Sequence, residues 1–166
     1  QRAPRFHRLP PAQDARHSTG RRTSGRPSHR QEARLALAGT DRTQSLQTGG
    51  DAPAVILVAP QLGENIGMCA RAMLNCGLTD LRIVRPRDGW PSESAVAASA
   101  GAAVVIDNVR VFATTSEAIA DLTLIYATTA RDRAMTKRVV TPGEAAREIR
   151  VAGTQHKCGI LFGGEA

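Results

Sequence analysis

Asn65, Gly67 and Arg71 stand in the pattern Asn-x-Gly-x-x-x-Arg inside the run Pro60-Gln61-Leu62-Gly63-Glu64-Asn65-Ile66-Gly67-Met68-Cys69-Ala70-Arg71. Arg71 falls one turn after Gly67 and one turn before Asn75, off the apolar stripe of the helix that these residues predict. A glycine at position 67 leaves room for a guanidinium to fold back over the helix start. The other reading of Arg71 is a solvated or structurally paired arginine. Two more groups bear chemistry. Thr128-Thr129-Ala130-Arg131 opens a basic stretch in which Arg131, Arg133, Lys137 and Arg138 lie close together, and Leu161-Phe162-Gly163-Gly164-Glu165 ends the chain but for Ala166. On residue type alone, Thr128 and Thr129 are ordinary strand-end residues, and Glu165 is a surface carboxylate.

The elements that must position these residues alternate between strand and helix. Ala54-Val55-Ile56-Leu57-Val58-Ala59 is an apolar, β-branched run of the kind found in a buried parallel strand, and Pro60 stops it. The next helix is expected from Asn65, which can cap it, to Cys76. Ile66, Cys69, Ala70, Met73 and Cys76 would be its buried stripe, and Gly77 would lie just past its end. Strands are expected at Leu81–Val84, Val104–Ile106, Val109–Phe112, Leu122–Tyr126 and Cys158–Phe162. Helices are expected at 94–100 behind Ser92, at 115–120, and at 143–151 behind Thr141-Pro142. Arg85, Arg87, Asp88, Gly89, Trp90 and Pro91 form a polar loop, with Trp90 packed against the sheet edge. The alternation implies a parallel sheet with flanking helices and right-handed crossovers. Loops 60–65, 127–131 and 163–165 would then share the carboxyl edge of the sheet, where open α/β sheets bind ligands.

Charge divides the chain. Residues 1–50 hold ten arginines against Asp14, Glu32 and Asp41, which accounts for the whole formal charge of +7. The high pI therefore belongs to this leader, whose polar composition predicts disorder. A folded part is expected from residue 51 to residue 166. The leader reads as an arm for phosphates, as an organelle transit peptide, or as upstream sequence translated without a fold. No run approaches the length of a membrane span. Cys69, Cys76 and Cys158 match neither a disulfide framework nor a zinc site, so buried reduced thiols in a cytoplasmic, metal-free protein are expected. His156 is the one histidine after residue 50, and no Ser-His-Asp set suggests a hydrolase. Neither a dinucleotide fingerprint nor a P-loop occurs.

Taken together and in order, these motifs resemble the SpoU (TrmH-like) ribose 2′-O-methyltransferases of the SPOUT class. Asn65-x-Gly67-x-x-x-Arg71 is similar to their first motif, and Leu161-Phe162-Gly163-Gly164-Glu165 to the start of their second. Thr128-Thr129-Ala130-Arg131 is similar to the Thr/Ser-Ala-Arg loop of the TrmJ-type branch, which modifies a ribose in tRNA. The resemblance covers about residues 54–165. It implies a SPOUT-type (α/β knot) fold and methyl transfer from S-adenosylmethionine to a ribose 2′-hydroxyl of tRNA or, second, rRNA. It also implies a homodimer with the active site near the interface. It assigns catalysis to Arg71, positioning of Arg71 or the RNA backbone to Asn65, and support of that constellation to Glu165. Cofactor binding falls to Thr128, Thr129, Ala130 and Gly163, and Arg131, Arg133, Lys137 and Arg138 become the RNA-binding cluster.

The family continues past the second motif with a Gly-Leu pair, a further strand, and a Ser-Leu-Asn motif on a final helix. Those residues are absent here, so the expectation is a fold lacking its C-terminal knot region. The family activity would then belong to a longer parent. The alternatives are a non-catalytic RNA-binding or assembly fragment, and a different nucleotide-binding α/β enzyme.

Overall fold

The computed structural model describes residues 5–9, 52–129 and 138–164. In chain order the elements are β1 (Arg5–Leu9), β2 (Ala54–Val58), α1 (Gly63–Asn75), β3 (Leu81–Val84), α2 (Glu93–Ser99), α3 (Ala103–Ile106), β4 (Arg110–Phe112), α4 (Thr115–Ile119), β5 (Leu124–Thr129), β6 (Val139–Val140), α5 (Pro142–Ala152) and β7 (Cys158–Phe162). Among the described residues the seven strands form one sheet, in the order β4-β3-β2-β7-β5-β1-β6.

The five strands from β4 to β5 are parallel, as the alternating pattern requires. The other two are not: β1 runs antiparallel to both β5 and β6. Two expectations are corrected here. The sheet is mixed rather than wholly parallel, and residues 5–9 of the leader form a strand rather than a disordered stretch. The reason is local. Phe6 packs on the cluster under α5, while Leu9 packs on the opposite cluster under α4, so the short segment buries residues on both faces. A composition average over fifty residues hides a five-residue strand. The rest of residues 1–50 lies outside the described residues.

Period-two alternation sorts the strand residues onto the two faces. Val55, Leu81 and Ile83 pack with Ile66, Ala70 and Met73 of α1, Ala95 of α2 and Val105 of α3. Leu124, Tyr126 and Cys158 pack with Ala145 and Ile149 of α5. Val55 pairs with Ile160, and Cys158 lies two residues before Ile160, so α5 shares the face of α1. Ile56, Val84, Ile125 and Leu161 face the other way, against Ala118 of α4.

Several boundaries differ from the sequence expectation. Val104-Val105-Ile106 is helical, because Val105 and Ile106 bury against the α1–α2 cluster and their N–H groups reach the Ala102 carbonyl; packing outweighs β-branched propensity. β5 runs on to Thr129, since β1 supplies ladder partners for Thr128 and Thr129. In α1 the buried set is Gly63, Ile66, Gly67, Ala70 and Met73. Cys76 is exposed and Cys69 is half-buried, so only Cys158 of the three free thiols is buried as expected. Burial pushes the Cys69 and Cys158 thiols up. Trp90 packs half-buried on the α1–α2 cluster.

A charged network ties the amino ends of the strands together. Arg82 is 2% exposed. Its guanidinium donates to the Asp80 carboxylate at 2.9 Å, to the Ala118 carbonyl at 2.6 Å, and to Asp121. Arg110 adds a second donor to Asp80 at 2.8 Å. Burial pushes the Asp80 carboxyl up, but Arg82 and Arg110 outweigh it and hold it below its ordinary value. The hydrogen bond from Arg82 does the same for Asp121. Asp80 precedes β3 and Asp121 precedes β5, so this network is at the end of the sheet opposite the motif loops.

Candidate functional site at the carboxyl edge of the sheet

The chain steps from β2 outward to β3 and β4, then crosses back to β5 on the far side of β7. The carboxyl ends of β2, β7 and β5 therefore stand side by side where the direction of winding changes, and such a switch point leaves a crevice for ligands. All three motifs reach this edge.

β2 ends at Val58, and the next residue, Ala59, has its backbone in the left-handed region (φ 48°) before Pro60. The Ala59 N–H still donates to the Val84 carbonyl at 2.8 Å, so the turn is sharp and held to β3. β7 ends against it. A Cβ on Gly164 would lie 3.6 Å from the Val58 carbonyl oxygen and 3.9 Å from the Ala59 Cβ. Gly163, by contrast, has nothing within 4 Å of its Cβ position among the described residues. An open glycine backbone between two strand ends fits the close approach of a bulky ligand. On the far side of β7, Thr128 continues β5 and is half-buried. It pairs with Phe6, so it belongs to the ladder and not to a loop.

The first motif is placed differently from the expectation. The helix begins at Gly63 with Leu62 as N-cap and no side-chain cap, so Asn65 stands inside the first turn instead of capping it. Gly67 is not open space for a guanidinium. It lies under α2, where a Cβ would meet the Ala95 carbonyl oxygen at 2.3 Å and the Ala98 Cβ at 2.8 Å. Gly63 is equally close to Ser92 and Ser94. Both glycines let α2 approach α1, as close helix contacts require. Arg71 is on the exposed side of α1 with Glu64, Met68, Ala72 and Asn75. It makes no hydrogen bond or ion pair among the described residues. At 1.5 Å of rise per residue, it stands about 12 Å along the helix from Gly63. The fold thus brings together Gly163 and Thr128 at the edge, with Asn65 in the first turn of the adjoining helix, and leaves Arg71 apart on an outward face.

Of the expected basic cluster, Arg138 is exposed and bonded to Glu148 of α5 at 2.7 Å. Glu148 also accepts from the hydroxyl of the buried Tyr126. Tyr126 of β5 thus ties α5 to the sheet, and Arg138 pairs with the same carboxylate. Glu165, Ala130, Arg131, Arg133, Lys137 and the side chain of Thr129 lie outside the described residues. Gly164, not among the expected site residues, lies beside Ala59 at this edge; the doubled glycine is its one signal in the sequence.

The fold and its edge define an α/β protein in which three neighbouring parallel strands end side by side at a topological switch point, where open sheets of this kind bind ligands. Residues 52–166 match the model of the SpoU rRNA methylase family. The chain belongs to that family. It is similar to the uncharacterized tRNA/rRNA methyltransferase LasT of Escherichia coli (strain K12), at 42% identity over 54% of this chain and 39% of that protein. It is similar to the tRNA (cytidine/uridine-2′-O-)-methyltransferase TrmJ of Klebsiella pneumoniae, at 34% identity over 67% of this chain and 45% of that protein. Among solved structures, TrmJ from Z. mobilis ZM4 superposes with a TM-score of 0.66 and 57% identity, over 69% of this chain and 50% of that one. The chain spans less than half the length of these two curated relatives.

Proposed function

We propose that this chain is part of a ribose 2′-O-methyltransferase acting on tRNA, with S-adenosylmethionine as methyl donor. The observation that carries the reading is the convergence of Gly163, the Ala59–Pro60 turn and Thr128 at one sheet edge, in a chain of the SpoU family. Gly163 and Thr128 near the end of β5 would hold the cofactor, which when bound supplies an electrophilic methyl group. The residues present fit such a group, because among the described residues nothing crowds the Cβ position of Gly163.

A neutral hydroxyl is a poor nucleophile and needs orientation or help in losing its proton. Arginine stays charged, so Arg71 would hold a phosphate and polarise the ribose hydroxyl. Its outward position suits a site completed by a second copy of the chain. Met68 beside it is 54% exposed and Leu62 45% exposed, apolar area that a homodimer would cover. Asn65 would position the RNA backbone at the start of the same helix. A cytoplasmic location follows from a tRNA substrate.

The test has two measurements on this chain and on a version extended through the Ser-Leu-Asn motif. The first is calorimetric binding of S-adenosylmethionine, and the second is transfer of labelled methyl to unfractionated tRNA followed by nucleoside analysis. Label in 2′-O-methylated nucleosides, lost in Arg71→Ala with thermal stability within about 0.5 kcal/mol of wild type, is the expected result. Absence of binding and transfer in both versions overturns the reading. Transfer retained in Arg71→Ala overturns the role of that residue.

A further inference from the structure

Further along the same edge, β3 ends as β2 does. Ala59 (φ 48°) is followed by Pro60, and Arg85 (φ 46°) by Pro86. Val58 pairs with Val84, so Ala59 and Arg85 are neighbours one step past the ladder. A left-handed backbone is unfavourable for any residue with a side chain, and glycine or asparagine is the usual occupant. Here the position carries a long cation, exposed, whose guanidinium has no partner among the described residues. Strained backbone of this kind persists where the surroundings impose it, and it clusters at binding sites.

The surroundings do impose it. The Arg85 N–H donates to the Phe112 carbonyl at 3.2 Å, and the Arg87 N–H donates to the Pro60 carbonyl at 3.0 Å. Arg87 also reaches Gln61 at 3.5 Å and Asp88 at 3.0 Å. The loop after β3 is thus stitched to the loop after β2. Asp88 is taken up by Arg87, so among the described residues Arg85 has no carboxylate partner. At about 4.8 Å per strand, Arg85 stands roughly 10 Å from the glycines that end β7, on the same edge.

Resting on the function proposed above, we infer that Arg85, on a ridge shared with Arg87, contacts a backbone phosphate of the RNA strand beside the nucleotide in the crevice. Phosphate contacts by arginine position a nucleic acid without reading its sequence. A cation carried on a backbone held by hydrogen bonds is suited to that task.

The test measures binding of unfractionated tRNA by the chain across a range of salt concentrations, beside calorimetric binding of S-adenosylmethionine. Arg85→Gly removes the guanidinium and suits the left-handed backbone, so it does not endanger the fold. It is expected to weaken tRNA binding about tenfold at low salt. It should also reduce the slope of log affinity against log salt by about 0.7–0.9, one phosphate contact. Arg85→Lys should restore the slope, and cofactor binding should be unchanged in both. If wild type binds tRNA and Arg85→Gly binds it with the same affinity and slope, the inference is overturned while the proposed function stands. A loss confined to S-adenosylmethionine binding also overturns it. If wild type binds the cofactor but no tRNA, both the inference and the RNA part of the function fall.

Discussion

Gly67 of α1 lies so close to the Ala95 carbonyl of α2 that a Cβ on residue 67 would stand 2.3 Å from that oxygen. The glycine of the first motif is therefore a packing residue at the root of the candidate site. It sets how α2 closes over the helix that carries Asn65 and Arg71.

Gly67→Ala should destabilise the protein although alanine is the better helix former. Propensity favours alanine by about 1 kcal/mol inside a helix. Overpacking against the backbone of α2 costs typically 1–3 kcal/mol, and the neighbours at 2.3–2.9 Å include two backbone atoms that cannot swing aside. The packing term wins. A drop in the urea midpoint is the expected measurement; an unchanged or raised midpoint would show that α2 moves away freely.

Arg82→Met should cost about 2–4 kcal/mol, below the largest losses seen on breaking buried pairs, because Asp80 and Asp121 keep about a third of their exposure to water. The pH dependence has a definite sign. Both carboxyls have folded pKa values below their ordinary ones. Their contribution is therefore complete above the unfolded value near pH 4 and is lost as pH falls through the folded values. Wild type should lose stability between neutral pH and pH 3 more steeply than Arg82→Met in paired urea titrations.

Tyr126 is the only tyrosine in the chain, so its ionisation can be read directly from tyrosinate absorbance. Burial, then the bond to Glu148, pushes its hydroxyl up to about 12. The native protein should titrate near that value, and the urea-unfolded chain near 10. A folded value above the unfolded one means that this stabilisation is present below about pH 10 and disappears as pH rises through about 12. Glu148→Gln should lower the native midpoint. A midpoint unchanged by Glu148→Gln would show that burial alone sets the shift.

Much of the fold was legible in the sequence because its signals are local. The apolar runs at 54–58, 81–84 and 158–162 are strands at the expected places. Gly77, with φ at 72°, ends α1 as a residue free of a Cβ can. Thr141-Pro142 opens α5, with Thr141 as N-cap and Pro142 in the first turn. The five-strand parallel core follows from the alternation of these elements, which allows few other windings.

The rest depended on residues far apart in the chain, and no periodicity reports those. Asp121 meets Arg82 from 39 residues away. Arg5 and Phe6 pair with Thr129 and Thr128 across more than a hundred residues, and Gly67 fills its place only because α2 packs there. The sequence by itself determined which residues could be strand, helix or chemistry, since backbone sterics and apolar spacing act over a few residues. Only the tertiary structure decided which of them share a surface. It joined Gly163 to Thr128 at one edge and turned Arg71 outward, because side-chain burial is settled by packing between elements.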